Sequence, residues 1–151
     1  MDNQLHAILG RLRKTADFAD TDFSDINATS SDGDNALHCV VRWGDLAAAE
    51  ALIDAGVDIN KAGDLGYTPL HVACIKGNAE MVKFLIDSGA DMFALSEGDA
   101  PFTTARRSGH DNICELLAPL MQEAQKRDPK MWTRARIAQL QREISSLERK
   151  L

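Results

Sequence analysis

The chain has 151 residues, 44% of them hydrophobic, with 17 Lys and Arg against 23 Asp and Glu and a formal net charge of −6. That is the size of one soluble domain with one core, and the acidic balance excludes a binder of nucleic-acid phosphates, which needs clustered Lys and Arg. No run of about 18 apolar residues offers a membrane span, Met1-Asp2-Asn3-Gln4 lacks the basic and apolar stretch of a secretory signal, and three cysteines without framework spacing fit a reducing cytoplasm.

The first predicted element is a helix, because Leu5, Ile8, Leu9 and Leu12 follow helical spacing. Asp25-Ile26-Asn27 lies 33 residues before Asp58-Ile59-Asn60, so residues 1–27 are expected to form an N-terminal capping helix or degenerate repeat. Residues 28–121 then repeat one pattern. Gly44, Gly77 and Gly109 are 33 and 32 residues apart, and Leu37, Leu70 and Phe102 keep that period. So do Val40, Ala73 and Ala105, and Leu52, Leu85 and Leu117. A period near 33 marks a small unit that cannot bury its apolar face alone and stacks on its neighbours.

The middle unit has the clearest punctuation. Thr68 suits an N-cap and Pro69 a first helical residue, where a missing N–H costs nothing. Gly77 stops this helix, and a second is expected from about Asn78 to Asp87, with Met81, Phe84 and Leu85 on one face and Gly89 ending it. Gly63 and Gly66 mark a projecting turn. In the third unit Pro119 is expected to break the second helix, leaving a short helix to Arg127 and a restart at Asp128-Pro129.

Residues 122–151 form a helical segment of different character. Ile137, Leu140, Ile144, Leu147 and Leu151 alternate spacings of three and four, the seam of a coiled coil. From Pro129 onward the segment is about 23 residues, or roughly 34 Å of helix at 1.5 Å per residue. A parallel homodimer would set Glu143 against Glu148, a like-charge pairing. Residues 129–151 therefore either fold back on the stack or pair outward, self-association included.

The repeats resemble those of the ankyrin family. Gly66-Tyr67-Thr68-Pro69-Leu70-His71-Val72-Ala73 carries the Thr-Pro-Leu-His-x-Ala signature and closes on Ser88-Gly89-Ala90-Asp91. The first copy departs from it as Asn35-Ala36-Leu37-His38-Cys39-Val40; the third reads Ala100-Pro101-Phe102-Thr103-Thr104-Ala105 and is one residue short between Asp91 and Gly98. The resemblance covers roughly residues 25–120 and implies an all-α solenoid of helix–turn–helix units with projecting turns, here followed by a C-terminal helix. It also implies binding through the turn tips and the concave side of the first helices, and a structural histidine at positions 38 and 71.

Catalytic signatures are absent: there is no Gly-x-x-x-x-Gly-Lys loop, no His-Glu-x-x-His and no Gly-x-Ser-x-Gly elbow. His71 and Cys74 are three apart on a helix, a possible metal pair, but lack two further well-spaced ligands. Cys39, Cys74 and Cys114 read as small buried hydrophobes. The expectation is no catalytic residue, no metal and no cofactor.

Where the copies differ in kind, a position is free to be specific. The variable places are the projecting turns Ser31-Asp32-Gly33-Asp34, Asp64-Leu65-Gly66-Tyr67 and Ser96-Glu97-Gly98-Asp99, and the pairs Arg42-Trp43, Ile75-Lys76 and Arg107-Ser108. The candidate partner-binding residues drawn from them are Trp43, Arg42, Tyr67, Lys76, Arg107, Asp32, Asp34, Asp64, Leu65, Glu97 and Asp99. Trp43, whose counterparts are Lys76 and Ser108, is expected to face solvent beside Arg42 as an interface anchor, the alternative being packing on Leu46 or the N-terminal cap.

Residues 1–121 hold 9 Lys and Arg against 19 Asp and Glu, a net of −10, while residues 122–151 hold 8 against 4, a net of +4. An acidic stack favours a basic partner protein. The expected function is a non-catalytic protein-binding module, as an inhibitor or immunity-type protein for a basic toxin or enzyme, or as an assembly adaptor. The alternative from another class is a metal-binding protein or enzyme using His71 and Cys74.

Overall fold

The computed structural model describes residues 3–151; Met1 and Asp2, the first two residues of the expected cap, lie outside the described residues. The described residues form α1 (Asn3–Leu12), α2 (Ala36–Trp43), α3 (Leu46–Asp54), α4 (Pro69–Lys76), α5 (Ala79–Asp87), α6 (Pro101–Arg107), α7 (Asp111–Arg127) and α8 (Met131–Glu148). No strand occurs among them, and the fold is all-α.

The helices of the first two units begin where a side chain satisfies their free backbone N–H groups. Asn35 and Thr68 cap α2 and α4 in reciprocal boxes with His38 and His71. Pro69 holds the first position of α4, and Gly44 and Gly77 end the two helices at φ 73° and 71°, the left-handed region a side chain would strain. Asp45 and Asn78 then accept the backbone N–H groups of Ala48 and Met81 to start α3 and α5. The third unit has lost its box: Ala100 offers no side-chain cap, and Pro101 alone marks the start of α6.

Helices α2, α4 and α6 lie side by side as an inner row, and α1, α3, α5 and α7 form the outer row. The recurrent positions are the glue. Leu37, Leu70, Val40, Ala73, Ala105, Leu52, Leu85 and Leu117 have no exposed surface, while Phe102 is packed on the core but partly open. Helix α1 belongs to the outer row and packs on α3 with Ile8, Leu9 and Leu12 buried. The chain that follows carries Phe18 and Phe23, both buried and stacked at 5.6 Å. Residues 3–27 thus supply an outer helix and an aromatic plug, without an inner helix.

Two expectations about the end of the stack are corrected. Pro119 does not break the third unit: α7 runs through it from Asp111 to Arg127. Pro119 and Glu115 are exposed, so the Glu115 carbonyl that loses its intrahelical partner faces water and the cost of the proline stays small. The last helix starts at Met131, with Asp128 turning the chain by accepting the Lys130 N–H at 3.1 Å and pairing with Arg134.

Helix α8 folds back on the third projecting turn. Trp132 meets Phe93 edge to face at 4.8 Å, Ala135 and Gln139 are buried, and Arg142 donates to the Leu95 carbonyl at 2.6 Å. The heptad seam is not what packs: Ile137, Leu140, Ile144, Leu147 and Leu151 are all exposed.

Candidate protein-binding face

The projecting turns are held by bonds that follow the repeat period. His38 Nε2 donates to the Tyr67 carbonyl at 2.8 Å and His71 Nε2 to the Asp99 carbonyl at 3.0 Å. A carbonyl only accepts, so the Nε2 of each carries the proton. The Nδ1 of His71 then accepts the Thr68 backbone N–H at 3.1 Å, closing the capping box. Burial pushes the His71 pKa down from 6.5 to about 4, and His38 is lowered for the same reason. These imidazoles are neutral connectors between units. Asn27 and Asn60 add a second ladder, accepting the N–H groups of Asp58 and Asp91 at 2.7 and 2.8 Å.

Further bonds tie tip to tip. Asp34 accepts the Asp64 N–H at 2.9 Å, and Ser96 Oγ donates to the Leu65 carbonyl at 2.7 Å. Gly63 is required here by close approach: a Cβ would meet the Asp34 carboxylate and come within 2.7 Å of His38 Nε2. Leu65 and Glu97 adopt positive φ, 54° and 50°, at the tips of the second and third turns.

The candidate residues divide into two groups. Asp34 is a correction: it is buried, holding Arg42 at 2.9 Å and the next turn's backbone, so it is a strut of the fold and not a free tip acid. Asp99 is likewise paired, with Arg107, although the Arg107 side chain remains 69% exposed. Tyr67 is partly buried and tilted against the His71 ring at 5.6 Å. Asp32, Asp64, Leu65, Lys76 and Glu97 are exposed. Leu65, 60% exposed, edges a cleft shared with Glu97, Gln139 and Arg142.

Trp43 ends α2 with 38% of its surface open. Its ring is not bare, because the Arg11 guanidinium of α1 stacks 4.7 Å from its centre and is anchored to Asp45 at 2.6 Å. One ring face thus meets Arg11 of α1, and 38% of the residue is exposed.

Comparing units adds a residue that the candidate set missed. Asp34, Tyr67 and Asp99 are equivalent, as are Arg42, Ile75 and Arg107. The outer two units carry an ion pair at these places, and the middle one carries Tyr67 and an Ile75 that is 37% exposed. Trp43 and Ile75 are thus two large exposed apolar residues on neighbouring inner helices, in a row whose corresponding positions carry Arg42, Lys76 and Arg107. The signal for Ile75 was visible: an isoleucine stands where both sister units have arginine.

No group of three or more His, Cys, Asp or Glu among the described residues is placed to hold a metal. The nitrogens of His71 are committed to Asp99 and Thr68, and burial pushes the Cys74 thiol up to about 12, so neither behaves as a ready ligand. No helix among the described residues is long and apolar enough to cross a membrane.

The family model described as "Ankyrin repeats (3 copies)" matches residues 5–96 and 59–130. The chain is 34% identical over 97 residues to human protein phosphatase 1 regulatory subunit 27, covering 64% of this chain and 63% of that one. The mouse protein of that name is 40% identical over 67 residues, 44% of each chain. A putative ankyrin repeat protein of Escherichia coli K12, YahD, is 30% identical over 96 residues, 62% of this chain and 48% of that one. The matches span less than two thirds of these relatives' own lengths. Motif, helix–turn–helix stack and family model agree, and the chain belongs to the ankyrin-repeat family.

Proposed function

We propose that the protein is a non-catalytic binding module that holds a partner protein against its inner-helix face and turn tips. Ankyrin repeats are protein–protein interaction modules, and the observation that carries the reading to this face is the pairing of Trp43 and Ile75, large apolar residues 38% and 37% exposed on adjacent inner helices. An exposed aromatic and aliphatic pair in a row that also carries arginines has the composition of a hot spot. The exposed tip acids Asp32, Asp64 and Glu97 favour a partner with a basic rim, reached by electrostatic steering.

Within that reading the role is inhibitory or regulatory. The likeness to proteins named as phosphatase regulatory subunits supports occupation of an enzyme's surface, with an immunity-type inhibitor of a basic toxin as a special case and an assembly adaptor as the competing role. Cys39, Cys74 and Cys114 are free thiols, which suits a reducing compartment such as the cytoplasm. The test uses a partner captured at low and at moderate salt. Trp43→Ala should speed dissociation, and Asp32→Asn with Glu97→Gln should slow association and flatten its salt dependence. Equal effects of both on one rate would refute the division of labour.

A further inference from the structure

The second projecting turn departs from its sister turns at two places, and both departures line one cleft. Lys61 stands where the other units have Ala28 and Ala94, and Leu65 where they have Asp32 and Glu97. The cleft, about 780 Å³ and open to solvent, lies between the second and third turns and the second half of α8. Leu65 lines it 60% exposed with φ 54°, a backbone region that suits Asp or Asn better than leucine, so local conformation does not explain the leucine. On the other wall Arg142, Ser145, Ser146 and Arg149 recur at i, i+3, i+4 and i+7 and share one polar face of the helix. Each arginine is held by a backbone carbonyl, Arg142 by that of Leu95 at 2.6 Å and Arg149 Nε by that of Ser145 at 3.2 Å, with guanidinium donors left over. Among the described residues no carboxylate forms an ion pair with Lys61, Arg142 or Arg149.

We propose that this cleft binds an extended acidic segment of a partner protein, with carboxylates on Lys61 and Arg149 and one large apolar side chain on Leu65. Charge complementarity commits it to that occupant. Three cations without ion-pair partners gather here, in a chain whose residues 1–121 carry a net of −10, and the acid that both sister turns place at the tip is replaced by leucine. Two acids also line the cleft: Glu143, which accepts the Gln139 amide at 2.8 Å, and Glu97 at the tip of the third turn. Glu97 disfavours a carboxylate beside it, so the acids of the occupant lie toward the second turn and the end of α8, where Lys61 and Arg149 stand. Length favours an extended chain. Gln139 to Arg149 covers about 15 Å at 1.5 Å per residue, room for about four or five residues at about 3.3 Å each. Neither Trp43 nor Ile75 lines the cleft, and the inference stands independently of the reading given for the inner-helix face.

The test titrates the full chain into dye-labelled peptides of about eight residues, read by fluorescence anisotropy. The parent peptide carries aspartates and one leucine among glycines; a second has glutamine for the leucine, and a third has phosphoserine for the aspartates. The parent should bind the wild-type chain, and Lys61→Glu with Arg149→Glu should weaken it about tenfold or more. Lys83→Glu with Lys126→Glu changes the net charge equally on exposed surface outside the cleft and should weaken it by no more than about twofold. Leu65→Asn, which suits the positive φ, should weaken the parent about fivefold, leave the glutamine peptide unaffected and not lower the melting temperature. Failure of the wild-type chain to bind the parent overturns the proposal, as does an equal loss in the two charge-reversed pairs or an unchanged affinity in Leu65→Asn. Binding of the phosphoserine peptide alone would overturn it in favour of a phosphate site.

Discussion

Trp132 stands edge-on to Phe93 with ring centres 4.8 Å apart, and this contact joins the last helix to the third projecting turn. Phe93 and Leu95 are buried there, where the second unit has Asn60 and Ala62 in the corresponding stretch. The stretch leading into the third turn is apolar where α8 covers it. Trp132→Ala should therefore cost about 1–2 kcal/mol, less than a fully buried tryptophan because its ring is partly open. Deletion of residues 129–151 should cost more, yet leave the repeats helical by circular dichroism. Global unfolding on deletion would mean that α8 is an indispensable cap.

The core prediction concerns Leu70, which has no exposed surface and lies in the central unit. Leu70→Ala should lose about 2–5 kcal/mol in chemical denaturation, the range for a buried leucine cavity. With so few units the transition should remain close to a single step. A loss below about 0.5 kcal/mol, typical of surface changes, would contradict the assignment of the core.

Gly63 tests the struts between turns. Because Asp34 and His38 are both held by hydrogen bonds, neither can retreat from an added methyl, and Gly63→Ala should cost about 1–3 kcal/mol in thermal or chemical unfolding. Gly56→Ala is the comparison: its φ of 90° strains a side chain, but nothing lies within 4 Å of the added carbon. The crowding account expects the Gly63 substitution to be the worse of the two.

Acid should loosen the stack through its histidines. His71 titrates near 4 when folded and near 6.5 when unfolded, so between those values the unfolded chain binds the extra proton and stability falls as pH falls. The full contribution is present above pH 6.5. About 3 kcal/mol is lost by pH 4, at about 1.4 kcal/mol per unit. His71→Gln should lower stability at pH 7 and flatten the profile between pH 6.5 and 4; an unchanged slope would show that His71 is not the group responsible.

Much of the architecture is legible in the sequence, since the unit is short and its punctuation is local. Thr68-Pro69, Gly77 and Asn78 each fix a backbone position by their own chemistry, and α4 begins and ends, and α5 begins, at them. Pro119 misleads for an equally physical reason: its penalty depends on whether the freed carbonyl meets water, a tertiary fact. The candidate face was less legible. Turn composition identifies Leu65 and Glu97 as exposed, but nothing local separates Asp34 from Asp32, and only the fold makes one a buried strut. Helix α8 shows the same limit, because its heptad spacing is real while the face that packs is the opposite one.

The central claim, that the inner-helix face holds a partner protein, is tested most directly by quantitative affinity capture on three immobilised proteins. These are the wild-type chain, Ile75→Asp on the inner row, and Lys83→Asp on the exposed side of α5. A partner should be recovered with the wild type and with Lys83→Asp, and fall at least tenfold with Ile75→Asp, although all three melt at similar temperatures. Equal recovery on all three, or a loss confined to Lys83→Asp, would contradict the account and place binding elsewhere on the molecule.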